Sequence, residues 1–497
     1  MNYCRKLCVI MFAFAGMTFQ SFTMKGNNDT IFYNIETTAT FSGGEHTPFW
    51  LASNKHGLGT PEINNGYVRA MVGKPLQPEK KFSWGATGDI TTGWHQPGVF
   101  RVQQLFAEMK YRALWISAGS KEWFSPYNNP RLSTGDLLFS GNALPIPQLR
   151  IGTYGFAPFW GCNGWFSMKA YAAYGFFTDS KWQKNWVMKN TKYATGVLYC
   201  SRGVWFKFGR EDKFPLTGEF GVELGTQFGG KIHWGDGKVL RMPQKFIDWI
   251  KAFIPLEGGK DTPEDEQTNV QGNVNGEYTV AINYSINPDC KIKLYYEHYF
   301  EDHSQMFLEY GFWKDGLAGV EVTFPKNRFI DKFVYEYVAT KDQTGSVLNN
   351  WTPEIPEQVS GQDGYFDHYL YGPWQTWGMT IGTPLALSPL YNKDHRLIIY
   401  NSRFIANHFG IEGSPADFLR WRMLLTFTQN WGTYFRPLSE KKNNMSGLAE
   451  IEFTPPRING LIIKAALGWD SGNFLGKNFG GMLTIGFNGN FSIGGKK

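Results

Sequence analysis

The sequence predicts an all-β fold: a closed antiparallel transmembrane β-barrel of about 18 strands, with long extracellular loops and a few short helices. Three observations carry this expectation. Long runs alternate apolar and polar side chains. The links between the runs alternate short and long. The chain also opens on an export-type leader.

The leader comes first. Arg5 and Lys6 precede an apolar stretch from Leu7 to Phe19, and Ala13-Phe14-Ala15 is a small-x-small cleavage pattern, with others nearby. The expected division is a signal peptide over residues 1–23 and an outer-membrane barrel over 24–497. The apolar stretch is shorter than the roughly 20 residues a membrane helix needs, and no later segment stays apolar for about 18 residues. An exported chain that crosses a bilayer must then cross it with strands. Those strands must seal their edges, because lipid offers no partner for a backbone N–H or C=O.

Composition agrees. Aromatics make up 17% of the chain and glycines number 57, which suits strands that meet water at both ends. The formal charge of +6 is spread without a basic run, so no nucleic-acid partner is expected. Cys4 and Cys8 lie in the leader. Cys162, Cys200 and Cys290 are too scattered for a disulfide framework or a zinc site, and neither metal nor cofactor is expected.

The strands read by period two. In Lys291 to Phe300, Ile292, Leu294, Tyr296, His298 and Phe300 share one face, while Lys293, Tyr295 and Glu297 share the other. In Phe418 to Gln429, Trp421, Met423, Leu425 and Phe427 oppose Arg420, Arg422, Leu424 and Thr426. Strands are expected near 31–41, 64–72, 81–91, 99–110, 112–120, 148–154, 164–176, 196–210 and 218–230. The second half adds 276–286, 290–299, 316–324, 331–340, 395–406, 418–429, 446–454, 460–470 and 479–493. Links after even-numbered strands are short. Several after odd-numbered strands are long, among them 42–63, 121–147, 177–195, 231–275 and 341–394. Tight turns on one side and long loops on the other is the outer-membrane pattern.

Several motifs carry a family resemblance. They are Thr47-Pro48-Phe49-Trp50-Leu51-Ala52-Ser53-Asn54, Asn142-Ala143-Leu144-Pro145-Ile146-Pro147 with Leu149-Arg150-Ile151, and Asp315-Gly316-Leu317-Ala318-Gly319. Val334-Tyr335-Glu336-Tyr337 with Gln343-Thr344-Gly345 follows, then Asn407-His408-Phe409-Gly410-Ile411-Glu412-Gly413. In this order they resemble the Wzi-type capsule assembly proteins of the outer membrane, in the form found in Bacteroides-like bacteria. The resemblance covers most of the mature chain. It implies an 18-stranded barrel that acts as a lectin and holds exported capsular polysaccharide at the cell surface. Implied partners are that polysaccharide, outer-membrane lipid and lipopolysaccharide, and the barrel assembly machinery. The relatives' helices face the periplasm. Met242 to Pro255 is a candidate amphipathic helix here, and link parity puts it outside.

Candidate sites come from the long links. Sugars present apolar C–H patches to aromatic faces and hydroxyls to polar groups. Trp123, Tyr127, Asn128 and Arg131 cluster in one link, and Trp374 and Trp377 in another. Packing of the loops is the plainer role for any one of them. Arg396, Arg403, Arg420 and Arg422 are expected to meet Glu450 and Glu452 as a lumen charge network. The alternative is an anion-selective eyelet, which makes a porin for small anionic or sugar solutes the rival function. Catalysis is not expected. His298 and His303 come without a G-x-S-x-G serine, and the histidines lack metalloprotease spacing.

Overall fold

A computed structural model describes residues 30–492 apart from 264–265, 268–269, 302–305, 307–311, 326, 328 and 344–362. The segment expected as a leader, His303 and Thr344-Gly345 lie outside the described residues. The wall is a closed antiparallel barrel of 18 strands. Its first half is β1 (Thr30–Gly43), β2 (Gly66–Lys74), β3 (Phe82–Trp94), β4 (Phe100–Tyr111), β5 (Leu114–Ser120), β6 (Gln148–Thr153), β7 (Phe166–Phe176), β8 (Leu198–Phe208) and β9 (Leu216–Phe228). The second half is β10 (Asn273–Asn287), β11 (Cys290–Glu301), β12 (Gly316–Thr323), β13 (Lys332–Ala339), β14 (Arg403–Ala416), β15 (Leu419–Gly432), β16 (Pro437–Phe453), β17 (Leu461–Gly472) and β18 (Asn478–Ser492). Each strand pairs with its sequence neighbour. β1 closes the ring on β18, in register from Thr30 opposite Ser492 to Gly43 opposite Phe479. Ala157–Pro158 makes a two-residue addition beside β7 and is not part of the wall.

Alternation sorts the side chains. In β15, Leu424 and Thr426 are buried in the lumen, while Met423 and Phe427 are exposed on the outer face. The exposed outer face is apolar around the ring, as at Leu105, Ile151, Phe220, Ile282, Ile451 and Leu483. Aromatics mark both ends of this band. Phe82, Tyr111, Phe208 and Phe453 sit near the termini, and Phe41, Phe100, Phe176 and Phe479 sit at the far end. Such girdles fit the two water–lipid boundaries. Among the described residues no helix is long and apolar enough to cross a membrane.

The links keep the expected parity. Those on the side of the termini are 75–81, 112–113, 154–165, 209–215, 288–289, 324–331, 417–418 and 454–460. On the other side run 44–65, 121–147, 177–197, 229–272 and 340–402, with shorter ones between. Among the described residues the short α-helices α1 (Phe49–Ala52), α2 (Ser180–Trp186) and α3 (Phe246–Phe253) lie in these long links. The helix expected at 242–255 is therefore α3, on the outside as parity required.

One strand is displaced. Residues 395–406 were expected as the fourteenth strand, and the strand runs over Arg403–Ala416 instead. Leu397 and Ile399 are spaced two apart, as on one face of a wall strand, yet both are buried in the packed loops. Asn407 to Gly413, expected in the following turn, is strand: His408 and Glu412 face the lumen and Phe409 faces out.

Candidate functional site

The lumen is filled by the chain's own long links. Link 121–147 leaves β5, crosses the barrel interior and returns to β6. Its middle carries Leu132, Leu137 and Leu138, all fully buried. A segment entering a polar lumen needs partners for its backbone N–H groups, since an unpaired buried one costs about 1–3 kcal/mol. The wall supplies them as inward glutamates on successive strands. Glu277 on β10 accepts the Leu138 N–H at 3.2 Å, and Glu297 on β11 accepts the Leu137 N–H at 3.1 Å and Asn128 Nδ2 at 2.8 Å. Glu336 on β13 takes four donors: Ser133 Oγ at 2.5 Å, the Thr134 N–H and Oγ1 at 2.7 Å each, and the Tyr295 hydroxyl at 2.6 Å. Further round, Glu412 on β14 meets Arg131 at 2.7 Å. His408 Nε2 donates to the Leu132 carbonyl at 2.6 Å, which leaves Nδ1 to accept from Thr426 at 2.7 Å.

The opposite wall reverses the roles. There the link carries the carboxylate, and Glu122 takes Arg69 of β2 at 2.8 Å and Gln103 at 2.9 Å. Burial alone would raise the Glu122 carboxyl, but Arg69 holds it below the usual carboxylate range.

Two other links complete the plug. Trp50 of α1 donates to Thr426 at 2.9 Å and lies 5.2 Å from the His408 ring. Asn54 Nδ2 donates to the Thr134 carbonyl at 2.9 Å. Trp374, fully buried, donates to the Leu138 carbonyl at 3.0 Å, and Asn142 Nδ2 donates to the Thr380 carbonyl at 3.0 Å. Pro145-Ile146-Pro147, which cannot pair in a sheet interior, ends this link: the Pro145 carbonyl accepts Ser120 Oγ at 2.8 Å, and β6 begins at Gln148. The motifs at 47–54, 142–147, 334–337 and 407–413 thus meet in one place.

The residues singled out in the sequence separate. Tyr127 and Asn128 are buried in the plug. Trp123 is half-buried beneath the Arg150 guanidinium, 4.8 Å from its ring. Arg131 lies deep, beside strand ends that face the termini, with Glu450 at 4.0 Å and Glu452 at 3.8 Å. Of the charges expected to pair in the lumen, Arg422 meets Glu450 at 2.8 Å, while Lys464 takes Glu452 at 3.2 Å. The other three stand elsewhere. Arg396 pairs with Asp394 at 3.5 Å in the loops, because the strand starts later than expected. Arg403 donates to the Lys341 carbonyl at 2.9 Å and stacks on Tyr434. Arg420 is opposite Glu452 in register, but its long side chain is exposed, its head carried toward water. Asp136 joins Glu277 and Glu297, their oxygens within 4.8 Å of one another, and burial raises the Asp136 carboxyl.

The outer rim holds an arrangement the sequence reading missed. Trp377, Trp182, Trp186 and His395 form a column of rings with centroid spacings of 6.3, 5.2 and 4.9 Å. Trp377 Nε1 donates to Thr178 Oγ1 at 3.0 Å. Trp377 and His395 both hold left-handed backbone, at φ 54° and 52°, which costs a bulky residue about 1–3 kcal/mol. Lys184, Lys393 and Arg396 are exposed in the same links. Deeper in the rim, burial pushes the His368 imidazole down to about 3, with Lys192 adding to the effect, and its Nδ1 accepts the Leu370 N–H at 3.2 Å. The spacing of Trp182 and Trp186, one helical turn apart, was the available signal for the column.

No family model matches the chain, and no curated protein matches it. Among solved structures, Wzi of Escherichia coli, a carbohydrate-binding β-barrel of the outer membrane involved in group 1 capsule assembly, superposes with a TM-score of 0.56 at 12% identity. The match covers 92% of this chain and 85% of that one. OprD of Pseudomonas aeruginosa superposes with a TM-score of 0.44 at 8% identity, over 94% of this chain and 96% of that one, a likeness too slight to bear on function. The first likeness is one of fold: the chain has the architecture of a Wzi-like outer-membrane barrel.

Proposed function

We propose that this chain is an outer-membrane barrel that binds exported capsular polysaccharide at its external rim and holds it at the cell surface, without chemistry. The observation that carries the reading is the plug. Link 121–147 is hydrogen-bonded to inward glutamates on β10, β11 and β13 and capped by Trp374, so the interior is spent on the chain itself. Ligand recognition then falls to the rim, where ring edges and outer faces of the Trp377–His395 column stand beside lysine and arginine. Backbone strain kept at Trp377 and His395 supports a functional role for that column. Binding is weak per repeat and gains strength along the polymer through effective concentration. The order of the motifs favours the form of the family found in Bacteroides-like bacteria.

Two measurements on the full-length barrel in lipid nanodiscs and planar bilayers test this. Purified capsular polysaccharide from the producing cells is expected to bind saturably, and Trp186→Ala with Trp377→Ala is expected to weaken it at least tenfold. Single-channel conductance is expected to be negligible. A flat titration together with clear ion conductance overturns the reading in favour of a porin.

A further inference from the structure

Helix α3 turns away from the lumen. It packs on the outward faces of β7, β8 and β9, near the end of the wall remote from the termini. The Trp249 ring lies 5.0 Å from Tyr174 and 5.5 Å from Phe228, and the Tyr174 hydroxyl donates to the Trp249 carbonyl at 2.7 Å. On β8 the odd residues Tyr199, Ser201 and Trp205 are buried toward the lumen, so Cys200 and Arg202 point outward into the lipid belt. Both are nevertheless buried, at 0% and 7% exposure. The helix covers them: the Phe253 ring sits 6.0 Å from the Arg202 guanidinium, whose Nη1 donates to Thr226 at 2.7 Å.

The other face of α3 is bare and apolar. Phe246 is 81% exposed, Ile247 52% and Ile254 51%. A contiguous patch of this kind marks contact with an apolar medium. The surface it continues is the lipid-facing band of the same flank, at Phe176, Phe220 and Val280. Exposed Arg241 and Lys245 lead into the helix, and Lys251 lies within it, the distribution of a helix lying in a membrane interface.

We propose that α3 is an interfacial helix: its exposed face is buried among the acyl chains of the outer leaflet, which pins link 229–272 to the flank of the barrel and shields outward Arg202 from hydrocarbon. The occupant is the bilayer's own hydrocarbon, and the inference is independent of what the rim binds. Spin-label accessibility tests it on the full chain in phospholipid vesicles. Cys4→Ser, Cys8→Ser, Cys162→Ser and Cys290→Ser leave only the buried Cys200, and single labels go to Ile247→Cys, Phe220→Cys and Lys238→Cys. Ile247 and Lys238 are exposed on the protein surface, and heat-dependent gel migration verifies the folded barrel. The label at 247 is expected to match the one at 220, open to oxygen and protected from a water-soluble nickel chelate. A label at 247 as open to nickel as the one at 238 overturns the proposal. Protection from both reagents also overturns it, because a second protein surface then covers the helix.

Discussion

Links 121–147 and 229–272 leave the same end of the barrel and part company. The first enters the lumen, and the second folds down over the outside of the wall. Their sequences differ in what they must satisfy. Link 121–147 carries Ser125, Asn128, Asn129, Ser133, Thr134 and many unpaired backbone donors, and the lumen offers glutamates that accept them. Link 121–147 also buries Leu132, Leu137 and Leu138 among the packed links, whereas link 229–272 keeps Phe246, Ile247, Ile250, Phe253 and Ile254 on one helix and its C-cap, which continue the lipid-facing band. An open loop goes to the surface that meets its donors or its apolar area, and a barrel provides one of each, inside and out.

The comparison breaks most readily at the inner anchor. Replacing Glu336 by Ala leaves Ser133, Thr134 and Tyr295 without their shared acceptor. We expect a loss of about 3–5 kcal/mol in reversible urea unfolding from lipid, with ion conductance appearing as the plug loosens. A smaller loss is expected at Gly319. A Cβ there would stand 2.1 Å from Cζ of Tyr295, so Gly319→Ala must tilt the ring that reaches Glu336. About 1–3 kcal/mol is expected, by the same unfolding measurement, with Glu336→Ala and Gly319→Ala less than additive.

Acid sharpens the contrast between rim and flank. His368 is neutral in the fold, with its pKa lowered to about 3 from an unfolded value of 6.5. The stability it contributes is present above pH 6.5 and is lost as pH falls toward 3. About 2 kcal/mol should be gone by pH 5, and less in His368→Gln, as read from midpoint shifts between pH 7 and pH 5. The outer flank shows the smallest effect. Ile247→Ser should change barrel stability by under about 1 kcal/mol, because the link is an appendage, yet raise protease cleavage within 229–272.

Period-two alternation made the strands legible. Trp421 against Arg422, or Leu294 against Glu297, needs only neighbouring residues to assign an inner and an outer face. Alternation failed at 395–402, where Leu397 and Ile399 have the spacing of a wall strand but bury their apolar area in the packed loops. The site was less legible than the wall. Tyr127, Asn128 and Trp374 have the chemistry of sugar contacts, and their burial depends on Lys293, Glu297 and Leu138, over a hundred residues away. Glu336 and His408 stood in the motifs that carry the resemblance, but their work as anchors is visible only with link 121–147 in place.

Local information was thus enough for a sealed cylinder, its inner and outer faces, and the side from which its long links emerge. The reason is that side-chain alternation and backbone pairing in lipid are short-range constraints. Which links fill the cylinder, which lies against its flank, and which aromatics remain at the rim were decided by the folded chain alone. Those outcomes depend on long-range competition among donors, carboxylates and apolar surface, and no stretch of sequence contains both sides of it.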